Sequence, residues 1–288
     1  TLEAQGSKNP FKFGFIGSSD THSAASQNDE SAFSSKLGIL SSTAEQRGSI
    51  PQKGLRGQLA YYSTKLAETI NPTAQACERV GASYLYLSSA FVFSGTMTRP
   101  YLEKDTPDVE SGVGRALLEV EETLTSHLED VLILRLGRLF AGRRPNALCT
   151  ALDTLRRGQG VQVSDRLQGN PVHVGEVARV CMAILDQMSA GAPRHGVFHY
   201  CSLGETGYLD FAEATMACAS QYQPFVDARD LLEDLTDETQ PMVNYTLDCS
   251  KIRREFGIQQ LPWRNFVDRA VTRYLELYVS GEGVIEKT

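Results

Sequence analysis

The chain has 288 residues, 41% of them hydrophobic and 22% charged, which is room for one large core or two modest ones. Asp and Glu number 35 against 28 Lys and Arg, a net charge of −7, and this argues against nucleic acid or an anionic membrane as the main partner. No apolar run approaches the ~20 residues that a membrane span requires.

Texture and charge divide the chain near residue 70. Residues 1–70 hold 7 Lys and Arg, 6 Asp and Glu and 12 serines, whereas residues 71–288 hold 21 and 29 of the two charge types. The first section predicts one strand, Phe11–Ile16, followed by loop through 17–20, 23–35 and 41–51. Loops of that length are uncommon inside a compact domain. Gly14 and Gly17 give a strand running into a Gly-x-x-Gly turn, the shape of a phosphate-cradling cofactor loop. Asp20, however, stands where a third glycine is needed and would set an anion beside the phosphate.

From about Asn71 the spacing becomes regular. Thr73–Val80 reads as a helix end closed by Gly81, and Ser83–Phe93 as a buried strand. Val113–Leu128 has helical spacing, Val131–Arg135 is a short apolar strand, and Ala147–Arg157 is a helix stopped by Gly158. Val174–Met188 is a helix, Gly196–Cys201 a strand, and Tyr208–Ser220 a helix with Phe211, Met216 and Cys218 as core. Such alternation predicts an α/β protein with a Rossmann-like parallel sheet, helices on both faces and a smaller C-terminal lobe, mainly 158–280. The acidic stretches at Glu119–Glu122 and Asp227–Glu238 read as solvated faces and a loop. Arg156-Arg157 and Arg253-Arg254 read as helix ends that favour the macrodipole. The tail from Gly281 reads as frayed.

Cys77, Cys149, Cys181, Cys201, Cys218 and Cys249 stand singly. They are expected as reduced, mostly core thiols of a cytoplasmic protein, in keeping with a polar Thr1–Pro10 that carries no signal-peptide pattern. His173 and His199 lie in apolar strand contexts and are expected as satisfied core histidines.

Several motifs in the second section resemble those of the dTDP-4-dehydrorhamnose reductases, the RmlD-like branch of extended short-chain dehydrogenases. They run in order from Tyr86–Thr96 (YLSSAFVFSGT) and Pro100–Pro107 (PYLEKDTP) through Leu134-Arg135 and Gly169–Ala178 (GNPVHVGEVA). Gly196–Tyr200 (GVFHY), Leu247–Ile252 (LDCSKI), Phe256–Ile258 and Trp263 complete the series. About 200 residues are covered, and the flavour is that of the sugar-nucleotide-binding branch that includes the regulatory subunit of methionine adenosyltransferase. The resemblance implies NAD(P) as cofactor, with Ser88 and Arg135 beside it, and a nucleotide sugar or similar small molecule as ligand. A protein partner or a homodimer is open.

The chemistry of that family needs a Tyr that gives its proton to the carbonyl oxygen, a Lys four residues later that lowers the Tyr pKa, and a hydroxyl that polarises the same oxygen. Aligned without gaps, Ser89 supplies the hydroxyl, but the Tyr position falls on Val113 and the Lys position on Leu117. The expectation is a catalytically impaired member with a binding or regulatory role.

The first section resembles a different family. Asn9–His22 (NPFKFGFIGSSDTH), with Phe33, Lys36–Gly38 and Arg47–Ser49, is similar to a bacterial domain of unknown function related to the PHP phosphoesterases. That resemblance implies Asp20 and His22 as metal ligands and a metal-dependent hydrolase as an alternative. A catalytic metal needs three or more ligands, and a divalent metal is not expected from this pair. Both resemblances break off between Gly57 and Asn71, where Leu59–Thr64 is shared. A non-functional hybrid of two truncated domains, 1–70 and 71–288, is therefore a third reading.

Overall fold

The computed structural model describes the backbone of 14–16 and residues 73–109, 112–143, 145–192, 195–222, 225 and 231–279. Gly17, Asp20, His22, the predicted loops to residue 51, Leu59–Thr64 and the tail 281–288 lie outside the described residues. In chain order the first elements are β1 (Gly14–Ile16), α1 (73–80), β2 (Tyr84–Ser89), α2 (Gly112–His127), β3 (Val131–Leu136) and β4 (Arg138–Phe140). Then come α3 (Ala147–Arg156), β5 (Val161–Val163), β6 (Leu167–Gly169), β7 (Pro171–His173), α4 (Val174–Ser189) and β8 (Gly196–Tyr200). The last are β9 (Thr206–Gly207), α5 (Tyr208–Ala219), β10 (Leu232–Asp234), β11 (Val243–Asn244), α6 (Ser250–Phe256) and α7 (Val267–Tyr278).

These elements fall into two compact units. One comprises Thr1–Val92, Pro107–Leu134 and Pro193–Val197; the other comprises Phe93–Thr106, Arg135–Ala192 and Phe198–Thr288. The first unit carries a sheet of order β1-β2-β3-β8, whose strands β3 and β8 run on into residues of the second. β1 lies parallel to β2, with Gly14 opposite Tyr84 and Ile16 opposite Tyr86. Residues 14–16 of the strand predicted at Phe11–Ile16 thus supply an edge to the sheet that β2 begins. α1 ends at Gly81, whose φ of +60° is the left-handed stop that glycine favours.

Two expectations are corrected in this unit. The strand predicted to Phe93 ends at Ser89, where the chain enters a 3-10 turn, Ala90–Val92. The Ser89 hydroxyl accepts the Phe91 N–H at 3.3 Å, a local side-chain bond that competes with the strand ladder. Glu121, expected on a solvated face, is 4% exposed. It follows Leu117 by four residues and precedes Leu124 by three, which puts it on the buried face of α2.

The second unit is built from short parallel pairings: β4 with β7, β5 with β10, and β6 with β11. β9 joins β6 from the other side, antiparallel. The acidic stretch expected as loop thus holds a strand, Leu232–Asp234, and the Glu233 carboxylate accepts Gln162 Nε2 at 2.9 Å across the pair. α3, α5 and α7 enclose the core, with Leu148, Leu152, Phe211, Met216 and Tyr274 around Trp263. Trp263 is the chain's one tryptophan and its ring centroid lies 5.4 Å from that of Phe211.

All six cysteines are free thiols, five of them buried and Cys218 half-buried. Among the described residues no helix is long and apolar enough to cross a membrane.

α3 starts at an Asn146 cap that accepts the Cys149 N–H at 3.3 Å. The same side chain donates to the carbonyls of Ala141 and Arg143 at 3.0 and 2.7 Å. Replacing Asn146 by alanine is expected to cost about 1–2 kcal/mol. Urea unfolding followed by Trp263 fluorescence measures it; a midpoint unchanged from wild type would refute the capping role.

Candidate functional site

Ser89, Val113 and Leu117 all belong to the first unit. Ser89 closes β2, and Val113 and Leu117 sit in the first turns of α2. Gly114 sets the distance between the two elements: a Cβ there would run into the Phe91 carbonyl oxygen. Val113 is 45% exposed, while Leu117 is buried at 7%. Both side chains are hydrocarbon, one exposed and one packed into the unit.

Two tyrosines lie in the described part of this unit. Tyr84 and Tyr86 are fully buried in β2, and neither hydroxyl finds a partner among the described residues. Burial pushes both phenols well above their ordinary pKa, and the Glu121 carboxylate adds to the rise at Tyr86. That is the opposite of what a proton-donating Tyr needs near neutral pH. Ser88 is buried and its hydroxyl donates to Glu121, so that hydroxyl points into the unit.

Arg135 lies in the second unit, 4% exposed, with its guanidinium 5.1 Å above the centre of the Phe93 ring. Phe93 stacks on Tyr101 at 4.1 Å and meets the edge of His199 at 5.8 Å. His199 Nδ1 donates to the Tyr101 carbonyl at 3.0 Å, and the His199 N–H donates to Glu103 at 3.1 Å. Burial first and the Arg135 charge second bring the His199 pKa down to about 3. The imidazole is thus neutral, with its proton on Nδ1 and a buried Nε2 that finds no hydrogen-bond partner among the described residues.

The loop these groups hold is the Pro100–Pro107 stretch that the sequence singles out. It is closed by a bidentate Arg99–Asp105 pair at 2.7 and 2.9 Å. That hydrogen-bonded pair takes the Asp105 carboxyl down to about 2.

His173 accepts the Gly175 N–H at 3.1 Å and caps α4. Glu176, one turn into α4 and 2% exposed, receives a bidentate Arg179 at 2.9 and 2.6 Å together with the Tyr200 hydroxyl. Burial pushes the Glu176 carboxyl up, but those hydrogen bonds outweigh it and leave the carboxyl below its ordinary value.

Glu121 and the His199 contacts are what sequence reasoning missed. An acid among leucines at helical spacing was the available signal for Glu121. For the His199 contacts there was none, since Tyr101 and His199 are 98 residues apart. Gly14 is described only as paired backbone, and Gly17, Asp20 and His22 lie outside the described residues. Among the described residues no group of three or more His, Cys, Asp or Glu could hold a metal ion.

Parallel strand pairings alternating with helices, and a hydroxyl at the end of β2 beside the first turn of α2, define an α/β protein of the Rossmann-type reductase and dehydratase fold. Residues 64–276 match the RmlD substrate binding domain, and the chain belongs to that family. Residues 1–77 match a second family, a protein of unknown function named DUF3604.

The chain is 26% identical over 216 residues to a dTDP-4-dehydrorhamnose reductase of Burkholderia thailandensis, covering 71% of this chain and 72% of that one. It is 27% identical over 215 residues to methionine adenosyltransferase 2 subunit beta of Mus musculus, covering 70% and 61%. Among solved structures it resembles a dTDP-4-dehydrorhamnose reductase from Clostridium acetobutylicum, with a TM-score of 0.64, 20% identity and 75% of each chain covered. It also resembles the Bacillus anthracis enzyme in complex with NADP, with a TM-score of 0.63, 18% identity, and 75% and 74% covered.

Proposed function

We propose that this chain binds a nucleotide sugar or a similar small molecule and transfers hydride poorly or not at all, serving as a binding or regulatory protein of the cytoplasm. What supports this reading is the ungapped motif alignment, which sets Val113 and Leu117 of α2 at the Tyr and Lys positions, together with two described phenols of the unit that are buried and shifted upward. Residues 71–288 carry the function, with the ligand lobe mainly in 158–280. A protein partner or a second copy of the chain fits the regulatory role; nucleic acid and membrane do not fit the charge.

NADPH oxidation with dTDP-4-dehydrorhamnose tests the reading. General acid catalysis alone contributes ~10²–10⁴-fold, so the expected rate is at least that far below the rate of a competent reductase. Ser89→Ala is expected to leave any residual rate unchanged, because a polarising hydroxyl has no acid to work with. Turnover at ordinary rates, or a hundredfold loss in Ser89→Ala, would refute the impairment. Binding is read separately: a saturating nucleotide sugar at ~100 times its Kd should stabilise the chain by about 2.7 kcal/mol.

A further inference from the structure

The sulfurs of Cys201 and Cys249, 48 residues apart in the chain, lie 3.4 Å from each other in the second unit. Cys201 follows β8 and is 0% exposed, whereas Cys249 precedes α6 and is 5% exposed. Both are free thiols. The Cys201 side chain has little room to turn away from its neighbour. Gly137 backs it so closely that a Cβ there would lie 2.9 Å from Cys201 Cβ, and Cys201 Sγ donates to the Leu247 carbonyl at 3.5 Å. A disulfide holds its sulfurs ~2.05 Å apart, so this pair is about 1.4 Å short of bonding distance.

A buried cysteine ordinarily serves as a small hydrophobe. Contact between two of them adds a reaction that neither has alone, the loss of one hydrogen from each as an S–S bond forms.

The pair is covered by a single side chain. Gly257, Ile258, Gln259 and Leu261 line a groove of about 430 Å³ beside α4. Gln260, between them, turns inward instead. It is half-buried, and its Nε2 donates to the Cys201 carbonyl at 2.9 Å and to Cys201 Sγ at 3.5 Å. Movement of that one amide uncovers the sulfurs without disturbing the core around Trp263.

We infer that Cys201 and Cys249 are a reversible dithiol–disulfide site, closed in the folded protein by hydrogen peroxide or another two-electron oxidant. Cys249, the more exposed of the two, reacts first. Its sulfur attacks one peroxide oxygen, the O–O bond breaks, and a sulfenic acid and one water form. Cys201 Sγ then attacks the Cys249 sulfur, the S–O bond breaks, and a second water leaves. The two sulfurs give up two electrons, and both thiol hydrogens end in water. The Cys201 thiol first and burial second hold the Cys249 pKa well above its ordinary value. Because the thiolate is the nucleophile, closure is slow and follows sustained oxidant. The site is independent of which ligand the chain binds.

The full chain, reduced and then treated with hydrogen peroxide, tests this. Trp263 fluorescence checks that it stays folded, N-ethylmaleimide in urea blocks the thiols that remain, and mass spectrometry of tryptic peptides locates the linkage. Cys201 and Cys218 share a tryptic peptide, so a maleimide on Cys218 places the bond at Cys201. In the folded protein the Cys201–Cys249 linkage should exceed Cys201–Cys218 at least ~10-fold, and dithiothreitol should remove it. Oxidation in concentrated urea is the reference. There the shorter loop closes more readily, and chain entropy favours Cys201–Cys218 by about fivefold.

Gln260→Ala should speed closure in the folded protein by up to about tenfold, the worth of one hydrogen bond. A folded variant oxidised no faster than wild type would overturn entry past that side chain. The wild-type comparison needs no variant to fold. Folded protein that gives the urea pattern, that gains a sulfinate at Cys249 without a linkage, or that keeps both thiols reduced would overturn the site.

Discussion

Gly114→Ala should lower the stability of the first unit by about 3 kcal/mol, although alanine is the better helix former. Glycine inside a helix costs up to ~1 kcal/mol relative to alanine, so propensity alone predicts a gain. Against it stands the Phe91 carbonyl oxygen, into which the added methyl would run, with the Phe91 carbonyl carbon 2.8 Å and Val109 Cγ2 3.0 Å away. A backbone carbonyl cannot swing aside as a side-chain tip can. Overpacking of this kind costs ~1–3 kcal/mol and sometimes more, and the collision with main chain puts it at the upper end.

For a chain of this size that loss corresponds to a fall of roughly 6–12 °C in the unfolding midpoint. Val113→Ala is the control. That side chain is 45% exposed and its truncation should stay within ~0.5 kcal/mol. A thermal scan in which Gly114→Ala melts at or above wild type would show that the helix can move away from the Ala90–Val92 turn. The placement of Ser89 beside α2 would then be adjustable, not fixed.

The same glycine shows where sequence reasoning reached and where it stopped. The helix over Gly112–His127 was readable from apolar spacing, and its end positions differ by one residue from the predicted Val113–Leu128. Val113 and Leu117 were readable too, because a four-residue spacing along a helix is local information. The close approach of Gly114 to Phe91 was not, since it depends on the chain leaving β2 at Ser89. Apolar residues continue through Phe93, and nothing in that run announces a hydroxyl that captures the Phe91 N–H and turns the strand into a 3-10 segment.

Burial of polar groups was the other limit. Periodicity places Glu121 on the apolar face of α2, yet a cluster of three glutamates read as solvent-exposed. The Ser88 hydroxyl that pairs with it lies 33 residues away.

Acid should loosen the second unit through His199. In the folded chain this imidazole has its pKa near 3, brought down by burial and then by the Arg135 charge, with the Tyr101 carbonyl, Asp248 and Asp105 acting the other way. In the unfolded chain it returns to ~6.5. A folded value below the unfolded one means that the unfolded state takes up the proton first. The stability is therefore present in full above about pH 6.5 and is lost as pH falls towards 3. The slope of a single proton is ~1.4 kcal/mol per pH unit, so wild type should lose about 2–3 kcal/mol from this group between pH 6.5 and 4.5.

Carboxylates add their own acid sensitivity, so the comparison is with His199→Gln. Its urea midpoints should start lower at pH 7.5, where the Tyr101 contact is weakened, and then decline less steeply. Trp263 lies in the same unit and reports both curves. Parallel curves for the two proteins would mean that His199 is not held neutral by its surroundings. Converging curves would show that the Pro100–Pro107 loop is fastened by a histidine whose charging releases it.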